Sequence, residues 1–251
     1  MTAAIGQAYH LSAHAWRQGP AGLYARLADA LLDHAPIALG GVRVLDAGAG
    51  TGVAGDAARA RGAATVVAVD VAPAMLPATA VVADLVRLPF GDNAFDLAVA
   101  GFVLGHLPEP EPGLRELRRV SAALLASAFA EGWTHPAKQV VEQVLAGHGY
   151  HPPAWYAAFK DGTERRAGDP DRLVRLARAA GYLDARVERI DVAVGPTTSA
   201  DLVAWRLGMA QHAPFVATLA PAVREAVRLE AERQLLDAPP LIVPMLVLLG
   251  A

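Results

Sequence analysis

Val44-Leu45-Asp46-Ala47-Gly48-Ala49-Gly50-Thr51-Gly52 is an apolar run ending in a carboxylate, followed by glycines at alternate positions. The apolar run with its β-branched valines reads as a buried strand (42–45), and the Ala-rich stretch Val53 to Arg61, closed by Gly62, reads as a helix. A strand, a glycine loop and a helix in that order bring backbone close to a ligand at the strand's carboxyl edge, because glycine adopts positive φ and carries no side chain. Outward from this unit the helix and strand patterns alternate as in a parallel α/β sheet. An amphipathic helix over 22–34 precedes it; strands are expected at 65–69, 81–83, 95–100 and 123–129, with a helix at 114–120. Asp169 and Pro170 open a helix to Tyr182 as N-cap and first-turn residue, and strands follow at 186–194 and 241–249.

Two cofactor chemistries suit such a loop. Gly50-Thr51-Gly52-Val53-Ala54-Gly55 satisfies G-x-G-x-x-G, and Asp70 lies about 20 residues on, where a dinucleotide's ribose expects an acid. Asp46, however, sits at the loop's mouth, where it repels a pyrophosphate and suits the ammonium and sulfonium of S-adenosylmethionine. Tyr156 and Lys160 form the Y-x-x-x-K pair of short-chain NAD(P)-dependent dehydrogenases, but no serine stands about a dozen residues upstream and that family's N-terminal glycine motif is missing.

Four ordered segments resemble the class I S-adenosylmethionine-dependent methyltransferases, in particular the ubiquinone and menaquinone biosynthesis branch. They are Val44 to Gly52; Val66 to Asp70 followed by Ala72-Pro73-Ala74-Met75-Leu76; Ala83-Asp84-Leu85 with Leu88-Pro89-Phe90, Asp92 and Phe95-Asp96; and Val99 to Leu107 with its His-Leu ending. The resemblance covers roughly residues 40–130. It implies a doubly wound, seven-stranded Rossmann-like α/β sheet with S-adenosyl-L-methionine as cofactor. Asp46, Gly48, Gly50 and Gly52 would surround the methionine end, Asp70 and Val71 the ribose, and Asp84 and Leu85 the adenine. Gly101 and Phe102 would border the reacting methyl, and Tyr9, Trp16 and Arg17 would belong to a lid. One departure is plain: the usual R-P-G-G-type turn before the fifth strand is replaced by Arg118-Arg119-Val120 running straight into Ser121-Ala122-Ala123.

The expected organisation is lid helices over 1–40, a cofactor-binding core over 41–130, a cap insertion over 131–168, a core helix and strand over 169–196, a helical cap insertion over 197–238 and a last strand over 239–251. His106, just beyond the fourth strand, is the candidate catalytic base, since imidazole titrates near neutrality, although capping a helix start is an equally ordinary role. Trp133, His135, Tyr150, Trp155 and Tyr156 are candidate substrate-binding residues from the aromatic-rich insertion, where cap core is the competing role. His135, His148 and His151 with Glu131 are too loosely spaced for a metal site, and no metal is expected.

Composition bounds the rest. The 251 residues are 54% hydrophobic with no cysteine and a net charge of -3, which excludes thiolate chemistry and disfavours a polyanionic partner. The expected activity is methyl transfer to a small molecule of little charge, a planar aromatic of specialised metabolism fitting best, without nucleic acid or membrane and by a monomer or homodimer; the alternative is a protein of the same fold that binds S-adenosylmethionine without methylating, as a cyclase or a binding module. The opening residues lack a charged-then-apolar leader, so a cytoplasmic location is expected. Basic charge is almost wholly Arg, with Lys only at 138 and 160; this reads as the mark of a GC-rich genome.

Overall fold

The computed structural model describes residues 2–195 and 197–251. Seven strands form one mixed sheet in the order β3-β2-β1-β4-β5-β7-β6. They are β1 (Arg43–Ala47), β2 (Thr65–Asp70), β3 (Ala80–Val82), β4 (Phe95–Gly101), β5 (Ser121–Phe129), β6 (Arg186–Ala193) and β7 (Ile242–Gly250). β1 to β5 are parallel, and β7 runs antiparallel between β5 and β6. The central strands carry apolar residues on both faces because helices cover both, as in other parallel sheets. The edge strand β6 instead exposes Arg186 and Arg189 among alternating partly buried positions, which discourages pairing with another chain. Order reverses between β1 and β4, so the crevice above their carboxyl ends is where a ligand fits an open α/β sheet.

Helix α1 (Thr2–Gln18) and α2 (Pro20–Leu32) precede the sheet, α3 (Val53–Ala60) joins β1 to β2, and α4 (Pro110–Val120) leads into β5. A short 3-10 turn, Leu104–His106, follows β4. The absent turn between α4 and β5 is replaced by side-chain chemistry. Helix passes into strand between Val120 and Ser121 without a loop, the Ser121 hydroxyl donating back to the Leu117 carbonyl at 2.7 Å. Arg119 meanwhile donates to the Phe90 and Leu88 carbonyls, tying α4 to the loop before β4. β5 is accordingly central, paired with β4 from its first residue and with β7 from Leu124 to Phe129.

The first insertion is more regular than its crowd of aromatic, His and Pro residues suggests. It contains α5 (Pro136–Ala146), α6 (Ala154–Ala158), a π-helical turn at Phe159–Glu164 and the single turn α7 (Arg165–Ala167), after which α8 (Pro170–Ala179) returns to the core. The second holds α9 (Ser199–Leu207), α10 (Ala213–Thr218) and α11 (Pro221–Gln234). Val141 and Leu145 of α5, Leu202 and Val203 of α9, and Val227 and Ala231 of α11 bury one another together with Leu27 of α2, so both insertions and α2 share a core above the sheet. No helix among the described residues is long and apolar enough to cross a membrane.

Candidate functional site

One cavity lies at the carboxyl ends of β1, β2 and β4, roofed by α1 and by both insertions. It measures about 1770 Å³ with its open mouth. Asp46, Gly48, Gly50, Asp70, Val71, Asp84, Leu85, Gly101, Phe102 and His106 line it, and Tyr9 and Trp16 line it from α1.

The glycine loop is shaped for close approach. Gly48 has φ +69°, and a Cβ there would lie 2.4 Å from Val103 Cγ2, so any side chain would both strain the backbone and collide with the segment after β4. Gly52, with φ +85°, is the N-cap of α3 and faces Pro77 instead of the cavity; its part is the turn alone. The Asp46 carboxyl is 1% exposed and accepts the Gly55 N–H of α3 at 2.8 Å. Desolvation pushes its pKa up to about 7 against the lowering effect of that hydrogen bond. Asp70 accepts the Gly50 N–H on one oxygen and the Ala72 N–H on the other, each at 2.9 Å, which fixes its plane. Burial raises its pKa and those backbone donors oppose the rise. A carboxylate oxygen has two lone pairs, so each keeps capacity for a further donor such as a ribose hydroxyl. Asp84 turns the chain after β3, accepting the Val86 N–H at 3.2 Å, and the adjacent Leu85 side chain is buried. The three carboxylates, the close-approach glycine and the spare acceptor capacity of Asp70 fit S-adenosylmethionine.

Beyond β4 the backbone is strained. Phe102 has φ +57°, unusual for a residue with a side chain, and its N–H is held by the Ser127 carbonyl at 3.1 Å and the Ser127 hydroxyl oxygen at 3.2 Å. The conformation turns the Phe102 ring onto Phe129 at 4.3 Å. His106 shares a hydrogen bond of 3.0 Å between Nε2 and the Tyr9 hydroxyl and stacks on Phe159 at 4.7 Å. Its Nδ1 is buried without a partner among the described residues, and desolvation lowers its pKa to about 4. The ring is therefore neutral near pH 7 and a weak base, with Tyr9 raised well above the ordinary phenol range by the same desolvation.

Several candidate residues stand elsewhere. Arg17 is outside the cavity; it donates to the Ala74 and Met75 carbonyls at 2.8 and 3.0 Å and so anchors α1 to the loop after β2. His135 is the N-cap of α5, its Nδ1 accepting the Ala137 N–H at 3.2 Å and its Nε2 donating to the Pro239 carbonyl at 3.1 Å, which leaves no nitrogen for a substrate. Tyr150 is 3% exposed, donates to the Gln211 carbonyl and packs on His212 and Phe215 in the cap core. Trp133, Trp155 and Tyr156 do line the cavity. Lys160 lines it too, but is paired with Glu164 one helical turn on, which binds its ammonium away from the dehydrogenase pairing with Tyr156. Sequence reasoning missed Tyr24, Lys138, Trp205, Arg206 and Gln211, all on the cavity wall. Arg206 had a signal: it falls three and four residues after Val203 and Leu202, on the buried stripe of α9, where a charge is out of place.

Residues 45–123 match the family model of a methyltransferase domain. The match stops before both insertions, so it bears on the cofactor half of the cavity. No curated protein sequence matches the chain. Among solved structures, the (4+2)-cyclase SpnF is 21% identical, with a TM-score of 0.53 over 90% of this chain and 80% of its own. A methyltransferase from an antibiotic biosynthesis pathway of Anabaena variabilis, described as putative, is 15% identical, with a TM-score of 0.58 over 88% of this chain and 96% of its own. The phosphoethanolamine N-methyltransferase 2 of Haemonchus contortus, solved with phosphomonomethylethanolamine and S-adenosylhomocysteine, is 15% identical, with a TM-score of 0.53 over 89% of this chain and 52% of its own. These likenesses show the Rossmann-like methyltransferase fold.

Proposed function

We propose that this protein is an S-adenosylmethionine-dependent methyltransferase acting on a small, planar aromatic molecule of specialised metabolism. The observation that carries the reading is the Asp70 carboxylate, clamped by Gly50 and Ala72 at the end of β2 and facing the same cavity as Asp46, Asp84 and Phe102. S-adenosylmethionine is the cofactor, and when bound it supplies a methyl group already activated on a sulfonium. The chain's own work is then to bind, orient and exclude water. Asp46 and Gly48 hold the cationic methionine end, Asp70 and Val71 the ribose, and Asp84 and Leu85 the adenine, while Gly101 and Phe102 border the reacting centre. Tyr9 and Trp16, on a helix that Arg17 anchors, close the cavity from above. Trp133, Trp155 and Tyr156 form the aromatic wall against which the acceptor packs. With its Nε2–H donating to the Tyr9 hydroxyl oxygen, His106 has Nδ1 free to receive a proton, and its weak basicity favours an acceptor that arrives ionised or needs no deprotonation before transfer.

Calorimetry tests the cofactor half: micromolar binding of S-adenosylmethionine and S-adenosylhomocysteine, no binding of a nicotinamide dinucleotide, and a loss of at least about tenfold in Asp70→Ala, as charge-assisted hydrogen bonds are removed. Tight dinucleotide binding would overturn the assignment. The likeness to a (4+2)-cyclase favours one second reading, a cofactor held as part of the wall while the aromatic cavity folds its substrate. Product mass separates the two, because transfer adds a labelled methyl and cyclisation adds none.

A further inference from the structure

The cavity is electrically two-sided. Asp46, Asp70 and Asp84 stand on the β-strand side, whereas the cap side presents Lys138, Lys160 and Arg206 against the single carboxylate Glu164, which Lys160 already engages. Arg206 is 3% exposed and forms no ion pair among the described residues; its Nε is buried without a hydrogen-bond acceptor. Trp205, whose ring lies 5.0 Å from the Arg206 guanidinium carbon, and Gln211 line the same cavity, and Trp205 Nε1 and Gln211 Nε2 are likewise buried donors without acceptors. A buried donor left unmade carries its full desolvation penalty, larger still when it is charged, so three together mark a place where an acceptor belongs.

Lys138 completes the cluster. Its ammonium sits 3.6 Å from the centre of the Trp133 ring and donates to the Trp133 carbonyl. Burial lowers its pKa to about 7, and Lys160 and Arg206 push in the same direction, which means that positive charge is crowded here and an anion would relieve it. Both lysines of a chain that otherwise uses Arg line this one cavity. A genome's bias does not explain that placement.

An aromatic ladder joins the two sides. Phe102, at the end of β4, stacks on Phe129 at 4.3 Å, Phe129 on Trp133 at 5.1 Å, and Trp133 on Trp205 at 6.2 Å, with the planes 25–30° apart. The rings stack on one another, so a flat molecule beside the column lies against their edges, with one end at Phe102 and the other at Trp205, whose ring is 5.0 Å from the Arg206 guanidinium carbon.

We propose that the acceptor is a planar aromatic acid whose carboxylate is held by Arg206, Lys138 and Gln211 at the far end of the ladder, with its reacting atom at Phe102. This rests on the methyltransferase reading for what occurs at Phe102, but the anion subsite stands on the cap residues alone. It also replaces the acceptor of little charge inferred from the net charge of -3, which averages over a surface the substrate never meets.

The same carboxylate chemistry exists on the cofactor's methionine, and the test separates the sources. Calorimetry compares 6-hydroxy-2-naphthoate with 6-hydroxy-2-naphthamide on the protein saturated with S-adenosylhomocysteine. The acid is expected to bind about tenfold or more tightly than the amide, as a charge-assisted pair in a dry site requires. Arg206→Gln should erase the preference, Arg206→Lys retain part of it, and Lys138→Met, at a less buried position, reduce it severalfold, all with unchanged S-adenosylhomocysteine affinity. Equal binding of acid and amide to the wild type overturns the proposal. So does a loss of S-adenosylhomocysteine affinity in Arg206→Gln equal to its loss of acid binding, which gives the guanidinium to the cofactor. If S-adenosylhomocysteine fails to bind the wild type, the methyltransferase reading falls, and the acid-to-amide ratio on the free protein still decides the anion subsite. Should Arg206→Gln fail to fold, the ratio in Lys138→Met carries the decision, an undiminished preference there counting against the proposal.

Discussion

Asp46 holds a charge that the fold would be better without. Its carboxyl is 1% exposed with one backbone donor, and burial raises its pKa to about 7. The unfolded value is near 4, so the folded chain binds the extra proton between about pH 4 and 7 and loses stability as pH rises through that window. Above it the full penalty is present, on the order of several kcal/mol, since each tenfold difference in proton affinity between the folded and unfolded chains is worth about 1.4 kcal/mol. Asp46→Asn keeps an acceptor for the Gly55 N–H and removes the charge. At pH 8 its urea midpoint without ligand should therefore rise, while its affinity for S-adenosylhomocysteine falls at least about tenfold, the exchange of stability for function common in active sites. A variant less stable at pH 8 would show that the carboxylate is a structural cap. Asp46 was legible as a ligand group because a strand-end acid before a glycine loop is a local pattern. The strain at Phe102 was not legible, because its φ of +57° is imposed by Ser127 from the neighbouring strand, and no local rule asks a phenylalanine to adopt it.

Among elements, the lid shows how backbone contact sets position. Gly19, between α1 and α2, has no room for a Cβ, which would lie 2.1 Å from the Ala204 carbonyl oxygen of α9. Gly208, just past α9, answers it, since a Cβ there would lie 2.4 Å from Pro20 Cδ and 2.7 Å from the Ala15 carbonyl oxygen. The joint of the lid is thus pressed against the second insertion, and α1 carries Tyr9 and Trp16 over the cavity from that anchor. Gly19→Ala must part the two backbones. We expect a melting temperature lower by several degrees, as overpacking of about 1–3 kcal/mol implies, and weaker S-adenosylhomocysteine binding. An unchanged affinity would mean that α1 closes independently of α9. Local patterns found each of the seven strands, six as apolar runs and β6 by its alternation of charged and apolar residues. They did not show that β7 enters antiparallel between β5 and β6, or that the lid leans on a helix almost 200 residues away, since both are matters of contacts between distant segments. The regular helix α5 was hidden by the aromatic, His and Pro residues flanking it: Val141, Val144 and Leu145 mark its buried face, and His135 reads as a ligand until its two nitrogens are seen capping the helix and binding Pro239.

At the scale of the molecule, the buried titratable groups set opposing pH dependences. His212 is fully buried; its Nδ1–H donates to the Arg206 carbonyl at 2.8 Å, and burial with the nearby Arg206 charge lowers its pKa to about 3. His106 is lowered to about 4 by desolvation. An unfolded histidine takes up its proton near pH 6.5, so as pH falls below that the unfolded chain binds protons that neither folded ring accepts, and stability drops down to about pH 4. Over the same interval Asp46 works the other way, its folded carboxyl holding a proton that the unfolded chain has lost. Asp70, raised by burial, sides with Asp46, and His135, lowered by burial, sides with the two imidazoles. His212→Gln should reduce the slope of unfolding free energy against pH between about 4 and 6.5 by roughly one proton, and Asp46→Asn should steepen it by a similar amount. Urea titrations at half-unit pH steps read both slopes. The pair is diagnostic because a general loosening of the protein would move both variants in the same direction, whereas buried neutral imidazole and buried neutral carboxyl require opposite ones. A His212→Gln slope equal to that of the wild type would show that water reaches the ring beneath Arg206, and that the cap core is open where the structure closes it.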